Sequence, residues 1–378
     1  MFHKLLSAFI PAEIEFRNAA RDGNLAAVQE YINKHSGSRE AINASGVNGI
    51  TALLLASKNG HLAVVNALIA AGADTNATCT YNDIEDTTAL YLAAGSGHGP
   101  VMRALLEAGA DINHANAKGA TALMAASEEN RREAVEVLLE YRADVNKVMY
   151  SHTTALYIAS QGGHDAIVNM LLAHNAEIDL ATSSGATPLF IAAQEGHEKV
   201  VTALIRKGAK INKTKSTGST PIFVAAGKGH LQIVKILHDH GAELDQALSS
   251  GATPLYIAAS RGCTAVVEYL VAQNVDVDKA TDAGTTPVCI ASAYGWLDVV
   301  KMLVAKGADI TKRTKTGITP LKAAEHSEHH HIAEYLKKEA RLARDLSRSS
   351  SGLFGRKAED EGEKKDIELG ELKYRTKQ

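Results

Sequence analysis

Residues 187–219 read TPLFIAAQEGHEKVVTALIRKGAKINKTKSTGS, and this stretch decides the fold. Thr187 is a good helix N-cap, and Pro188 suits the first helical position, where a missing N–H costs nothing. Leu189, Ile191, Ala192 and Ala193 form a short helix with a small-residue face that lets a second helix approach closely. Gly196 stops that helix in the left-handed conformation glycine tolerates best. Val200, Val201, Leu204 and Ile205 recur at helical spacing and make the second helix. Gly208 ends it, and the polar run 212–219 is an extended turn leading to the next cap. The unit is helix, turn, helix, hairpin-like loop.

The same beat sounds along most of the chain. A Thr-Ala/Pro-Leu tripeptide or a close variant begins at Thr51, Thr88, Thr121, Thr154, Thr187, Thr220, Thr253, Thr286 and Thr319, 33 residues apart except for a first interval of 37. A fixed period of this length means stacked supersecondary units rather than a globule around one core. Such an array holds other molecules along a surface.

This pattern resembles the ankyrin repeat, whose usual motif is Thr-Pro-Leu-His, two Ala, Gly-His, paired aliphatics and Gly-Ala-Asp-x-Asn. A more distant unit, RNAARDGNLAAVQEYINKH, precedes Thr51 with Ala19, Ala20 and Gly23 in register. The resemblance covers residues 14–336 and implies an all-α solenoid of ten repeats, starting near 14, 51, 88, 121, 154, 187, 220, 253, 286 and 319. Layers of about 10 Å would give an arc on the order of 100 Å. It further implies a non-catalytic protein–protein interaction module, acting as adaptor, scaffold or inhibitor and binding through the concave groove of first helices and loop tips. Family members are hydroxylated at the Asn of Gly-Ala-Asp-x-Asn. Asn76, Asn113, Asn146 and Asn212 occupy that register, whereas Asp179, Asp245 and Asp278 lack the amide.

Composition agrees with the period. Hydrophobic content of 45% with only 5% aromatics suits Ala- and Leu-rich helix stacking, and a net charge of −3 gives no global pull toward nucleic acid or anionic lipid. Cys79, Cys263 and Cys289 form no C-x-x-C and read as packing or surface thiols of a reducing, cytoplasmic compartment. No phosphate loop, catalytic dyad, nucleophile elbow or zinc spacing is present. No cofactor or metal is expected, and an enzyme is the least favoured class. His61, His98, His164, His197 and His230 all fall in the Gly-His turn and are assigned to stacking. His326, His329, His330 and His331 lack the thiolates of structural zinc sites.

Departures from the motif mark the candidate binding residues. The loop before Thr88 carries a four-residue insertion, expected to expose Tyr81 and Ile84, and the loop before Thr154 offers Met149 and Tyr150 with His152 in place of glycine. Large apolar residues on solvent-facing tips are hard to justify by folding alone. Between these tips lies the least regular repeat. Asn130 and Arg142 replace turn glycines, Arg131 replaces the histidine, and Glu128 and Glu129 point toward the groove; sequence drift and a binding patch are both open readings. A second patch combines Arg261, Tyr294 and Trp296, the last either packing in the turn or anchoring a partner. Rings at the motif's fourth position, Tyr91, Tyr157, Phe190, Phe223 and Tyr256, are extra core between repeats or line the groove. The tips 213–219 and 312–318 are rich in Lys, Thr and Ser.

The ends differ from the array. Residues 1–13 have an amphipathic pattern too short for a membrane span and read as a cap. Residues 337–347 continue a charged helix, and 348–378 read as a charged, flexible tail. Within it, Glu359, Asp360, Glu361 and Glu363 resemble the acidic block of type IV secretion signals, which suggests an effector of an intracellular bacterium acting in a host-cell cytoplasm. The alternative is a regulatory or substrate-recruiting subunit of an enzyme or ubiquitin ligase. The expected partner is another protein, with no nucleic acid, no membrane insertion and a monomeric chain.

The motif's second residue is Ala in four repeats from Thr51 to Thr154 and Pro in five from Thr187 to Thr319. Proline narrows the unfolded ensemble, so slower amide exchange is expected in the C-terminal half; uniform protection along the array would contradict this.

Overall fold

The computed structural model describes residues 11–35 and 38–354, with side chains as far as residue 345. Helix pairs succeed one another along the chain. They are Ala12–Arg21 with Leu25–Lys34, Ala52–Lys58 with Leu62–Ala70, Ala89–Ser96 with Gly99–Glu107, Ala122–Glu128 with Arg132–Glu140, and Ala155–Gly162 with Asp165–Ala173. Pro188–Glu195 with Glu198–Arg206, Pro221–Lys228 with Leu231–Asp239, Pro254–Arg261 with Thr264–Ala272, Pro287–Ala293 with Leu297–Ala305, and Pro320–His326 with His330–Phe354 complete the set. First helices pack on first helices of the adjacent pairs, second on second, and each pair on itself. The core is therefore a continuous ribbon: Ala192 and Ala193 on one side, and Val200, Val201 and Leu204 on the other, are all fully buried.

Threonine caps open eight of the ten layers. The Thr187 hydroxyl accepts from Phe190 N, and Thr51, Thr88, Thr154, Thr220, Thr253, Thr286 and Thr319 do the same three residues on. Thr121, at the head of the irregular repeat, makes no such bond.

The turn residue ties each layer to the one before. His197 Nε2 donates to the Gln161 carbonyl at 2.8 Å, and His61, His98, His164, His230 and His329 make the same bond to Arg21, Lys58, Glu128, Gln194 and Ala293. A carbonyl only accepts, so the proton sits on Nε2. The bond survives substitution wherever a donor reaches the carbonyl: Arg131 Nε meets Gly95 O at 3.1 Å and Trp296 Nε1 meets Ser260 O at 3.0 Å. The Cys263 thiol, 3.8 Å from Gly227 O, is the weakest rung. His61, His98, His197, His230 and His329 each lie against the left-handed glycine of the previous layer, a position that Asn130 holds before His164. A Cβ on Gly163, at φ +72°, would stand 2.5 Å from His197 Nδ1.

Loop tips add a second ladder of backbone bonds, Tyr150 N to Lys118 O, Ser183 N to Ser151 O, Ser216 N to Ser184 O, Asp282 N to Ser250 O and Lys315 N to Ala283 O. Among the described residues the matching bond from Ser249 to Thr217 is not formed, and Gly218 stands farther from the next tip than Gly185 or Gly251 does. The same tip leaves Asp245 Oδ1 and Gln246 Oε1 buried without partners.

The last helix departs from the sequence expectation. Its backbone stays helical through Phe354, across the serines read as the start of a flexible tail. Serine costs little in a helix interior, and a helix already nucleated by residues 330–345 propagates easily. No helix among the described residues is long and apolar enough to cross a membrane.

His197→Ala should lower stability by about 1 kcal/mol, the net worth of one such hydrogen bond. Gly163→Ala should cost more, through backbone strain and collision with the same ring. Urea unfolding checks both; an unchanged midpoint for His197→Ala would deny the rung a stabilising part.

Candidate functional site

The insertion before Thr88 folds as an antiparallel hairpin, Thr78–Tyr81 with Ile84–Thr88. Asn82 and Asp83 turn it at φ 48° and 61°, the two left-handed residues that a tight two-residue loop needs. The register then shifts by one residue, with Asp86 also left-handed. The following tip pins this kink, Ala117 N donating to Glu85 O and His114 Nε2 to Asp86 O. Tyr81 and Ile84 consequently do not stand free in solvent, as the sequence suggested. Both are half-buried and line a groove beside the helix Ala89–Ser96, where their apolar surface is removed from water.

That groove holds about 270 Å³ and brings together four of the sequence candidates, Tyr81, Ile84, Glu128 and Glu129, with Lys58, Tyr91 and Leu92. The Lys58 ammonium sits 4.6 Å from the centre of the Tyr81 ring, a cation–π contact. Glu128 and Glu129 are exposed, and among the described residues neither has an ion-pair partner. Burial pushes the Tyr91 phenol above its usual range, and the Glu128 carboxylate adds to the shift. The buried Asn116 amide, whose Nδ2 has no fully formed bond, acts against it. Four carbon-rich side chains beside two unpaired carboxylates make a surface complementary to an apolar segment bearing a cation.

The same repeat carries left-handed residues where the repeat before it has glycine. Asn130 and Arg142 both hold positive φ, 53° and 63°. Asparagine bears this well, whereas arginine there costs on the order of 1 kcal/mol; nothing in the structure explains Arg142. Met149 differs from its expected exposure: it is half-buried, its backbone pressed against Gly119. Tyr150 beside it is 78% exposed but does not line the groove.

The second sequence patch also converges. Arg261, Tyr294 and Trp296 line a cleft of about 560 Å³ with Tyr256, Ile257, Ser260 and Ile290. A neighbouring cleft of about 230 Å³, lined by Gln194, Phe223, Val224, Gly227 and Lys228, shares Ile257 and Arg261 with it. Trp296 performs the turn's packing duty with its indole N–H and still remains 41% exposed. Burial raises the Tyr256 phenol, with Tyr294 contributing. The fourth-position rings divide: Phe190 and Phe223 are buried as core, whereas Tyr91, Tyr157 and Tyr256 are half-buried. A further cleft of about 440 Å³ lies among second helices and mixes Asp165 and Glu198 with Lys199 and Arg206.

The Asn candidates bridge layers. Asn76 Oδ1 accepts from Asp111 N while its Nδ2 donates to Gly109 O, and Asn146 and Asn212 repeat both bonds; Asn113 Oδ1 accepts from Asp144 N. Asp179, Asp245 and Asp278 can only accept. In each case a lysine from the next layer, Lys213, Lys279 or Lys312, donates to that residue's carbonyl instead. This uses two of the lysines that the sequence placed on free tips. Of the histidine cluster, His329 is a rung, and among the described residues no three metal-binding groups converge. Glu359, Asp360, Glu361 and Glu363 lie outside the described residues.

The same geometry occurs in known proteins. The family model for ankyrin repeats in three copies matches residues 16–116, 74–149, 147–215, 207–281 and 273–345. No curated protein matches. Among solved structures, the chain is similar to the crystal structure of the human ASB11 ankyrin repeat domain, at 28% identity and a TM-score of 0.53, over 57% of this chain and 96% of that one. With capped helix pairs, a turn-residue ladder and a family match spanning nearly every layer, the chain belongs to the ankyrin-repeat family.

Proposed function

We propose that this protein is a non-catalytic recognition module that binds a protein partner along its first-helix face. Ankyrin repeats are in general protein–protein interaction modules, and the fold is typically non-catalytic. The observation that carries the reading is the groove between the hairpin and the irregular repeat, where Tyr81, Ile84, Glu128 and Glu129 meet. A rigid stack loses little entropy on binding, and the unpaired carboxylates favour a partner that presents a lysine or arginine next to apolar side chains.

The full chain carrying Glu128→Lys and Glu129→Lys should lose captured partner by about tenfold or more, because like charges would face across the groove. Both side chains are exposed, so the fold should persist by circular dichroism. Equal capture by wild type and variant would move the binding surface elsewhere, and Tyr150→Ala then tests the neighbouring tip.

The finer reading is a bacterial effector delivered into a host-cell cytoplasm. Its motivation is the acidic block at Glu359, Asp360, Glu361 and Glu363 on an array with no other domain between residues 14 and 336. Replacing these four residues with Ser should abolish translocation in a reporter assay; unchanged delivery would sink the effector reading and leave the recognition reading intact.

A further inference from the structure

The groove over the repeats from Thr220, Thr253 and Thr286 is separate from the hairpin groove and differs in charge. Phe223, Ile257 and Ile290 give it apolar walls, and Tyr294 and Trp296 flank it with 60% and 41% of their surfaces exposed. Its charged lining residues are Lys228 and Arg261, and among the described residues neither has a carboxylate at ion-pair distance. Exposed aromatic surface beside unpaired cations fits a segment that mixes aliphatic side chains with carboxylates.

This chain carries such a segment. Residues 366–372 read DIELGEL, three aliphatic residues alternating with three acids around one glycine. We propose that this segment occupies the groove, with Ile367, Leu369 and Leu372 supplying the apolar contacts and its carboxylates meeting Lys228 and Arg261. Residues 366–372 hold three acids and no base, with basic residues flanking them on both sides, so the charge that complements the groove is confined to this segment.

The connection is long enough when drawn out. The last helix starts at His330, one layer beyond Trp296, and its 25 residues carry the chain about 37 Å. Residues 355–366 reach about 40 Å when fully extended, about the length of that helix. Drawn out this far, well beyond its relaxed length of about 20 Å, the tether adds little effective concentration, so occupancy depends on the contacts themselves. The occupied groove would be closed to any other acidic partner until that partner outcompetes the tail.

Trp296 is the sole tryptophan and flanks the groove, so its fluorescence reports occupancy. The full chain with Ile367→Ser, Leu369→Ser and Leu372→Ser should show red-shifted emission and stronger acrylamide quenching than wild type, at unchanged far-ultraviolet circular dichroism. A peptide of residues 366–372 should reverse both changes in this variant and bind wild type more weakly, and Arg261→Glu added to the variant should abolish the reversal. Identical emission and quenching in wild type and variant overturns the proposal. So does a change that the peptide fails to reverse, or one that scales with protein concentration and thereby assigns the tail to a second copy. Equal peptide affinity for both chains also overturns it, leaving an open groove for an acidic segment of another protein. The hairpin groove shares none of these residues, so neither outcome bears on the proposed function.

Discussion

A single hydrogen bond, from the turn residue of one layer to a carbonyl at the end of the first helix in the layer before, governs how this array is put together. The last carbonyls of a helix have no intrahelical partner, and a stack leaves them facing the next layer. An imidazole N–H satisfies them, and the same ring covers a glycine that must be left-handed and bare. One side chain thus caps a helix, closes a turn and fixes the spacing between layers. The requirement is for a donor at the correct reach rather than for histidine, which is why arginine and tryptophan serve at 131 and 296.

The loop side obeys a similar logic with different groups. An asparagine both accepts from and donates to the next layer, and where aspartate takes its place a lysine of the next layer adds a bond of the opposite direction, to the aspartate's own carbonyl. The two positions lie in different layers. Their coupling is invisible to a reading that treats each repeat as a copy of its neighbours.

Much of the fold was legible because each position of a 33-residue unit meets one local need, with Thr capping, Gly turning and paired aliphatics filling the core. The positive φ at Asn130, Arg142, His152 and Glu328 follows from register alone. Contacts across the irregular insertion were not legible. Tyr81 looked like a solvent-facing tip residue, but the kink at Asp86 and the pinning bonds from the following tip hold it against the groove. Convergence of Tyr81 with Glu128, and of Arg261 with Tyr294, could be suspected from clustered departures. The cation over Tyr81 and the buried amide behind Tyr91 come from residues that look ordinary in sequence.

The joint between the layers beginning at Thr220 and Thr253 has an unequal share of the array's bonds. Its rung is a thiol at 3.8 Å, its tip lacks the backbone bond that most other tips make, and two side-chain oxygens there are unpartnered. In a stack where every layer touches only its neighbours, elastic compliance concentrates at the least bonded joint. Here the second helices are held by the His238–Tyr269 bond, so the weaker bonding is confined to the turn and loop edges, and the cleft between Phe223 and Arg261 lies across the turn edge. Whatever fills it would act as a splint on that edge, adding contacts where the ladder has fewest.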